Sequence, residues 1–334
     1  MNPPLISVVI VNYNGGAFLQ QAIDSMSRQT FRNFELILVD NASTDGSAQN
    51  IDLTTLPSAR LIENHENRGF AAANNQAAEL CSGKWLVLLN PDCVADPGWL
   101  AALLDAADNH PDCVNFASAQ YQLSDPSRLD GAGDAYFVCG IPWRGGFGRP
   151  AGELPENGWC FSACGAGAMY DAETFRSLAG FDERFFCYCE DVDLGFRLQQ
   201  LGHDCRFVSD AVIHHAGSGI SGRTSPFSIY YGTRNRLWTY VKNMPAAAFW
   251  PTLPGHIFLS LYLLVRSSFT PRFKPMLKGY RDGLQLVREM RSSERWRVQH
   301  QSLPTRKLVG RMCWNPAKLS GRKADVRPDK LPGE

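Results

Sequence analysis

Nothing at the N-terminus of this chain reads as a leader. Met1-Asn2-Pro3-Pro4 carries no basic residue, and the apolar run Ile6-Ser7-Val8-Val9-Ile10-Val11 is too brief for a signal peptide. The expectation is a cytoplasmic protein. Zinc-type cysteine spacing is missing too: ten cysteines are scattered along the chain, and neither Cys187-Tyr188-Cys189 nor the Cys160/Cys164 pair has a second CxxC or a matching His pair. Reduced, structural thiols are expected, and the sequon Asn41-Ala42-Ser43 reads as a plain loop. No G-x-G-x-x-G follows the first apolar run and no G-x-x-x-x-G-K-[ST] occurs anywhere, which removes the main support for hydride transfer and for a P-loop enzyme. RNA and DNA modules are also lacking, so no nucleic acid partner is expected.

Net charge is absent only on average. Basic and acidic residues number 33 each, but Arg266 to Glu334 holds 17 Lys or Arg against 6 Asp or Glu, leaving the rest of the chain acidic. A basic C-terminal region suits an anionic surface, either nucleic acid or the cytoplasmic face of a membrane.

What the chain does contain is an alternation of short apolar runs and helix-like segments. Ile6 to Val11 and Phe34 to Val39 are strand-like, Leu61-Ile62-Glu63 is a third candidate, and Lys84 to Leu89 is a run short enough to be a buried parallel strand. Phe18 to Gln29, Phe70 to Leu80 and Pro97 to Ala107 lie between or after them with helical patterning. This order points to an α/β fold, a mostly parallel sheet with helices on both faces. Asn90-Pro91-Asp92 then emerges at the carboxyl end of a strand, where open α/β sheets bind ligands. The loops after the first three strands offer Asn12, Asn14, Asp40, Asn41, Asp45, Asn67 and Arg68, able to hydrogen-bond a base and ribose or to meet phosphate. The same residues are also ordinary turn formers.

The series Val8-Val9-Ile10-Val11-Asn12-Tyr13-Asn14, Val39-Asp40-Asn41-Ala42-Ser43-Thr44-Asp45, Asn67-Arg68-Gly69-Phe70-Ala71-Ala72-Ala73-Asn74 and Leu89-Asn90-Pro91-Asp92 resembles the family 2 inverting glycosyltransferases of GT-A (Rossmann-like) fold. Downstream, Gly180-Phe181-Asp182-Glu183, Glu190-Asp191-Val192-Asp193-Leu194-Gly195, His214-His215 with Gly217-Ser218, and Tyr230-Tyr231 with Arg234-Asn235 resemble its rhamnosyltransferase-like branch. The match runs over about residues 5 to 245 in consistent order.

The resemblance implies a nucleoside-diphosphate sugar donor, dTDP-rhamnose or a UDP-hexose, and a lipid-linked or oligosaccharide acceptor of a cell-surface glycan. It adds Tyr13, Gly69, Asn74 and Asn90 to the nucleotide-binding set. It makes Asp191 the base that takes the acceptor proton, with Glu190 and Asp193 in support of acceptor or base, although three acids in four residues also suit a helix N-terminus. Asp92 becomes the ligand of a divalent cation, Mn²⁺ or Mg²⁺, with Asn90 standing where the family usually has the first acid of a D-x-D. A histidine after Ala211-Val212-Ile213 completes the metal shell. Spacing to Gly217 favours His214, and His215 points to the opposite face if the strand continues. Retention of the fold without turnover, a nucleotide-sugar-binding scaffold, is the alternative that the amide at Asn90 leaves open.

After residue 245 the character changes. Ala246 to Val265 is apolar for about a membrane's thickness, but Pro251, Pro254 and His256 interrupt it, which predicts a break rather than one straight spanning helix. The expected organisation is a catalytic domain over 1–245, a helical extension over 246–298 that is either membrane-associating, with Arg266, Arg272, Lys274, Lys278 and Arg281 toward anionic lipid at the inner membrane face, or a cap packed on the catalytic domain with a solvated basic surface, and a basic, poorly ordered tail over 299–334.

Overall fold

A computed structural model describes residues 3–49, 51–217, 224–292 and 302–329. Its elements are β1 (Ile6–Asn12), α1 (Ala17–Ser27), β2 (Phe34–Asp40), β3 (Ala59–Glu63), α2 (Gly69–Ala78), β4 (Trp85–Leu89), β5 (Cys93–Ala95), α3 (Trp99–Asn109), β6 (Asn115–Gln122), β7 (Leu129–Ala132), β8 (Asp134–Phe137), β9 (Ile141–Arg144), β10 (Gly158–Cys160), β11 (Gly167–Asp171), α4 (Ala172–Ser177), α5 (Glu190–Leu201), β12 (Cys205–His215), α6 (Pro226–Asn243), α7 (Ala246–Ser267), α8 (Phe273–Gln285), α9 (Val287–Ser292), α10 (Thr305–Gly310) and α11 (Pro316–Ser320). The main sheet runs β10-β12-β6-β11-β4-β1-β2-β3.

Its N-terminal half is parallel: β1 pairs with β2 and β4, and β2 with β3. The other half is mixed, because β11 runs antiparallel to β4 and β6 while β12 lies parallel to β6. Strand periodicity decides the two faces. Val8 and Ile10 pack with Leu19, Ile23 and Met26 of α1 and with Trp99 of α3. Val9 and Val11 meet Ala71, Ala73 and Ala77 of α2 and Leu194 of α5. Burying each large side chain is worth about 1.5–3 kcal/mol, so β1 is stable only with both layers in place. The carboxyl ends of β1, β2 and β4 open on one edge, which receives the site.

The C-terminal region differs from expectation in two ways. Despite Pro251 and Pro254, α7 is one continuous helix of 22 residues, long and apolar enough by length and composition to cross a membrane. The two prolines cancel helix bonds to the carbonyls of Ala247 and Trp250, both at exposed residues, where water can take them. The second difference is that the described part of the tail, 302–329, is folded back. Ser302 and Leu303 donate N–H groups to the Gln200 carbonyl, Leu308 is buried beside Met290 and Trp238, and Arg327 exchanges both backbone bonds with Trp159 on the edge strand β10. Asp204 receives Arg311 and Arg327, and Arg206 pairs with Asp329, so local polarity that reads as disorder is ordered by long-range ion pairs.

Candidate active site

The Asn90-Pro91-Asp92 segment leaves β4 and is held by the Asn90 N–H on the Ala166 carbonyl, at 3.0 Å. Antiparallel pairing of β5 with β12 then sets His215 opposite Cys93. In consequence His215 Nε2 lies 3.2 Å from Asp92 Oδ1, with the two side chains 3% and 5% exposed. The other ring nitrogen, Nδ1, is 2.7 Å from Asp130 Oδ2, which also accepts from Arg144 Nη1. Burial, the largest single effect, pulls the His215 pKa down, and its bonds to Asp130 and Asp92 reverse this and raise it.

His214, preferred from its spacing, is not part of this group. It faces the other side of β12, stacked on Tyr121 with Nε2 3.2 Å from Asp96 Oδ1. Alternation along the strand allows only one of two neighbours to face the site. Which one does is set by the irregularity between Val208 and Val212, where the register against β6 shifts.

Asp191 occupies the first turn of α5. Its carboxylate accepts the Gly165 N–H at 2.9 Å on one oxygen and the Val192 N–H at 2.8 Å on the other. Burial raises its pKa above the usual carboxylate range although those bonds work against it. Glu190 and Asp134 are pushed well above that range, by burial first and by the Asp191 charge second. Asp193 belongs elsewhere, since helical rotation turns it from the cavity to a buried hub, where it binds Arg197 Nε at 3.0 Å, Lys242 Nζ at 2.8 Å and the Asn243 amide at 2.7 Å.

The loop that delivers Glu190 and Asp191 is strained: Phe186, Tyr188 and Cys189 have φ of 64°, 73° and 67°. Such residues persist where surrounding structure over-determines them. Here the Asn235 amide nitrogen lies 2.8, 2.8 and 2.7 Å from the carbonyls of Phe185, Cys187 and Tyr188, its two N–H groups shared among the three, and Arg234 caps those of Arg184 and Phe185. Gly69 fits against this loop because a Cβ there would lie 2.5 Å from the Phe186 ring.

Both acidic groups line one cavity of about 400 Å³, together with Tyr13, Asn41, Asn67, Gly69 and Asn90 from the predicted nucleotide set. Other members of that set build the loops behind it. The Asn12 amide binds Asp40 at 2.8 Å, Asn14 accepts the Thr44 N–H, Asp45 accepts the Gly16 N–H, and Asn74 donates to the Phe70 carbonyl within α2. Arg68 donates its backbone N–H to Asn41 Oδ1, and its side chain is outside the cavity lining. Asp130, Asp134 and Arg144 were missed from sequence. The two acids bracket a glycine-rich segment, Asp130-Gly131-Ala132-Gly133-Asp134, and Arg144 lies in the glycine- and aromatic-rich stretch from Gly140 to Gly148.

Asp92 and His215 suit a hard divalent cation: a carboxylate and an imidazole within 4.8 Å of each other, buried at the cavity wall. Cys93 lies in the same group, and burial raises its thiol pKa well above the usual value.

Comparison with known proteins gives the family. The Glycosyl transferase family 2 model matches residues 7–178, and the Glycosyl transferase family group 2 model matches 156–296. The chain is 30% identical over 311 residues to the N-acetylglucosaminyl-diphospho-decaprenol L-rhamnosyltransferase of Mycobacterium tuberculosis, covering 82% of this chain and 97% of that protein. It is 31% identical to the O-antigen biosynthesis protein RfbC of Myxococcus xanthus over 68% of this chain and 18% of that one. Among solved structures, a mannosyltransferase from Pyrobaculum calidifontis in complex with GDP-Man and Mn²⁺ superposes with a TM-score of 0.54 at 19% identity, covering 88% of this chain and 85% of that one. GalNAc-T7 with UDP, GalNAc and Mn²⁺ gives 0.60 at 17% identity, covering 91% and 59%. At those identities the likeness is one of fold, the GT-A arrangement.

Proposed function

This chain belongs to glycosyl transferase family 2, and we propose that it is an inverting enzyme that moves a sugar from dTDP-rhamnose or a UDP-hexose to a hydroxyl of a lipid-linked glycan precursor. The observation that carries the reading is the placement of the Asp92–His215 pair and of Asp191 on the wall of one cavity. In an in-line displacement the acceptor oxygen attacks the anomeric carbon, Asp191 takes its proton, and the bond to the diphosphate breaks on the opposite side. A raised carboxylate pKa makes a stronger base, and a positioned general base contributes about 10²–10⁴-fold. The Gly165 and Val192 N–H groups fix both Asp191 oxygens and so aim the base.

Asp92 and His215 would hold Mn²⁺ or Mg²⁺, and the imidazole favours Mn²⁺. Such a cation supplies Lewis-acid stabilisation of the departing diphosphate. Arg144 faces the same charge and is the one Lys or Arg lining the cavity among the described residues. Tyr13, Asn41 and Asn67 are the side chains we assign to the nucleoside. Glu190 we assign to the acceptor.

The name of the mycobacterial relative supports a polyprenyl-diphosphate sugar as acceptor and rhamnose as the transferred sugar. Such an acceptor lies in a membrane, and we assign the 246–298 extension to the inner face of the cytoplasmic membrane, with 1–245 as the catalytic unit. On α7, Trp250 and Phe258 are each 67% exposed, with Tyr262 and Val265 also outward, and Arg272, Lys274, Lys278 and Arg281 follow.

The test is turnover of dTDP-rhamnose and UDP-hexoses with a polyprenyl-diphospho-GlcNAc acceptor and Mn²⁺, with the anomeric configuration of the product read by NMR. Inversion that requires Asp191 is the expected result. A retained configuration, or full activity in Asp191→Asn, would sink the proposal.

A further inference from the structure

Between the cavity wall and the sheet lies a carboxylate that none of the roles above uses. Asp130, on β7, is 1% exposed and ends on two cationic or proton-bearing partners: His215 Nδ1 at 2.7 Å and Arg144 Nη1, both at the same oxygen, Oδ2. The fold makes room for this. Arg144 comes from the hairpin β8–β9 and crosses over Gly131, where a Cβ would stand 2.8 Å from both Arg144 Cγ and Cδ.

The consequence falls on the histidine ring. A neutral imidazole has one N–H and one lone pair, and the nitrogen that gives its proton to a neighbour leaves the other as the ligand. With Nδ1 turned to Asp130, the nitrogen left for a cation is Nε2, which is the one beside Asp92 Oδ1 at 3.2 Å. Without Asp130 the charged group left at Nδ1 among the described residues is Arg144, which can only donate and would favour the opposite tautomer, with the proton on Nε2. The charged groups that face the ring are Asp92, Asp130 and Arg144, whose Nη1 lies 3.2 Å from Nδ1.

We propose that Asp130 is a positioning residue of the cation site: it accepts the hydrogen bond of His215 Nδ1–H so that the Nε2 lone pair joins Asp92 as a ligand pair, and Arg144 braces Asp130 in that place. The inference rests on the reading that Asp92 and His215 hold a divalent cation. It assigns affinity for that cation to a side chain that would not touch it.

The experiment measures Mn²⁺ affinity of the full chain, by electron paramagnetic resonance of free Mn²⁺ at saturating UDP or dTDP, for wild type, Asp130→Ala and Asp130→Asn. Losing an outer-shell partner of a metal-binding histidine costs about 10–100-fold in affinity, the drop expected for Asp130→Ala. An amide oxygen can still accept the Nδ1 proton, so Asp130→Asn is expected to recover part of the loss. In parallel, long-range ¹H–¹⁵N spectra of the wild type with Mg²⁺ and nucleotide, assigned with His215→Gln, should show the ring proton on Nδ1. This second measurement decides the matter even if the alanine variant does not fold. A folded Asp130→Ala at wild-type Mn²⁺ affinity, or a wild-type ring protonated on Nε2, overturns the inference and leaves the metal reading standing. A wild type that takes up no Mn²⁺ overturns the metal reading itself, and the inference with it.

Discussion

His215 Nε2 stands 3.2 Å from Asp92 Oδ1, while His214, its neighbour on β12, directs its own Nε2 to Asp96 Oδ1 on the opposite face. Two adjacent histidines thus have separate duties. His215→Ala is expected to reduce Mn²⁺-dependent nucleotide binding by at least about 100-fold, beyond what an outer-shell loss costs, and His214→Ala to leave it at the wild-type level. Calorimetry with and without Mn²⁺ separates the two, and equal losses in both variants would count against the assignment.

The pH profile follows from Asp191. As a proton acceptor it works only when ionised, and burial places its pKa above the ordinary Asp value of about 3.9. Activity should therefore be full above the raised pKa and fall as pH drops through it, at a higher pH than an exposed aspartate would give. In Asp191→Asn, kcat should drop by about 10²–10⁴-fold and this acidic limb should vanish. Initial rates across pH test both statements.

Asn235 offers a different kind of dependence. Its amide holds three carbonyls of the loop that presents Glu190 and Asp191. Leaving such buried groups unpaired costs about 1–3 kcal/mol, and the positive-φ residues of the loop store strain that would then relax. Asn235→Ala should lower Tm and reduce kcat more than it changes Mn²⁺ affinity. A variant with wild-type kcat would show that the loop keeps its shape without the clamp.

Asp193 is expected to matter for stability and not for chemistry. Removing it takes the buried carboxylate from Arg197 and one of two carboxylate partners from Lys242, which keeps Asp182, and breaking such a buried pair typically costs about 3–5 kcal/mol. Asp193→Ala should show a marked loss in urea unfolding, whereas its folded fraction should bind nucleotide like the wild type.

Membrane contact can be measured by sedimentation with vesicles. Replacing Lys274, Lys278 and Arg281 by Gln should weaken binding to anionic vesicles by about 1 kcal/mol for each charge near the surface. Replacing Trp250 and Phe258 by Ser should weaken binding to neutral and anionic vesicles alike, since apolar insertion is insensitive to headgroup charge. Wild-type protein that stays in the supernatant at every lipid composition would remove the membrane assignment.

Much of the fold was legible because strand and helix signals are local. The β-branched run at β1, the run ending at Leu89 and the acids opening α5 each announce themselves within a few residues. The motif order likewise leads to Asp92 and Asp191 on the same cavity. Arg234 and Asn235 stood out as part of a motif, but their duty as a clamp depends on carbonyls some fifty residues away.

The sequence by itself determined the order of strands and helices over about the first 110 residues, the family, and the two acidic motifs proposed for the site, because periodicity and short motifs act over neighbouring residues. Only the tertiary structure decided which histidine faces Asp92, since an irregularity in β12 sets the parity of the strand that follows it. It also decided that Asp193 is an ion-pair hub, that Asp130 and Arg144 lie behind the site, and that residues 302–329 fold back on the domain. In each case the deciding interaction joins groups far apart in the chain or on different elements. A charged side chain takes its role from whatever packing brings within about 3 Å of it, since a buried charge is tolerated only when it is paired and hydrogen-bonded there.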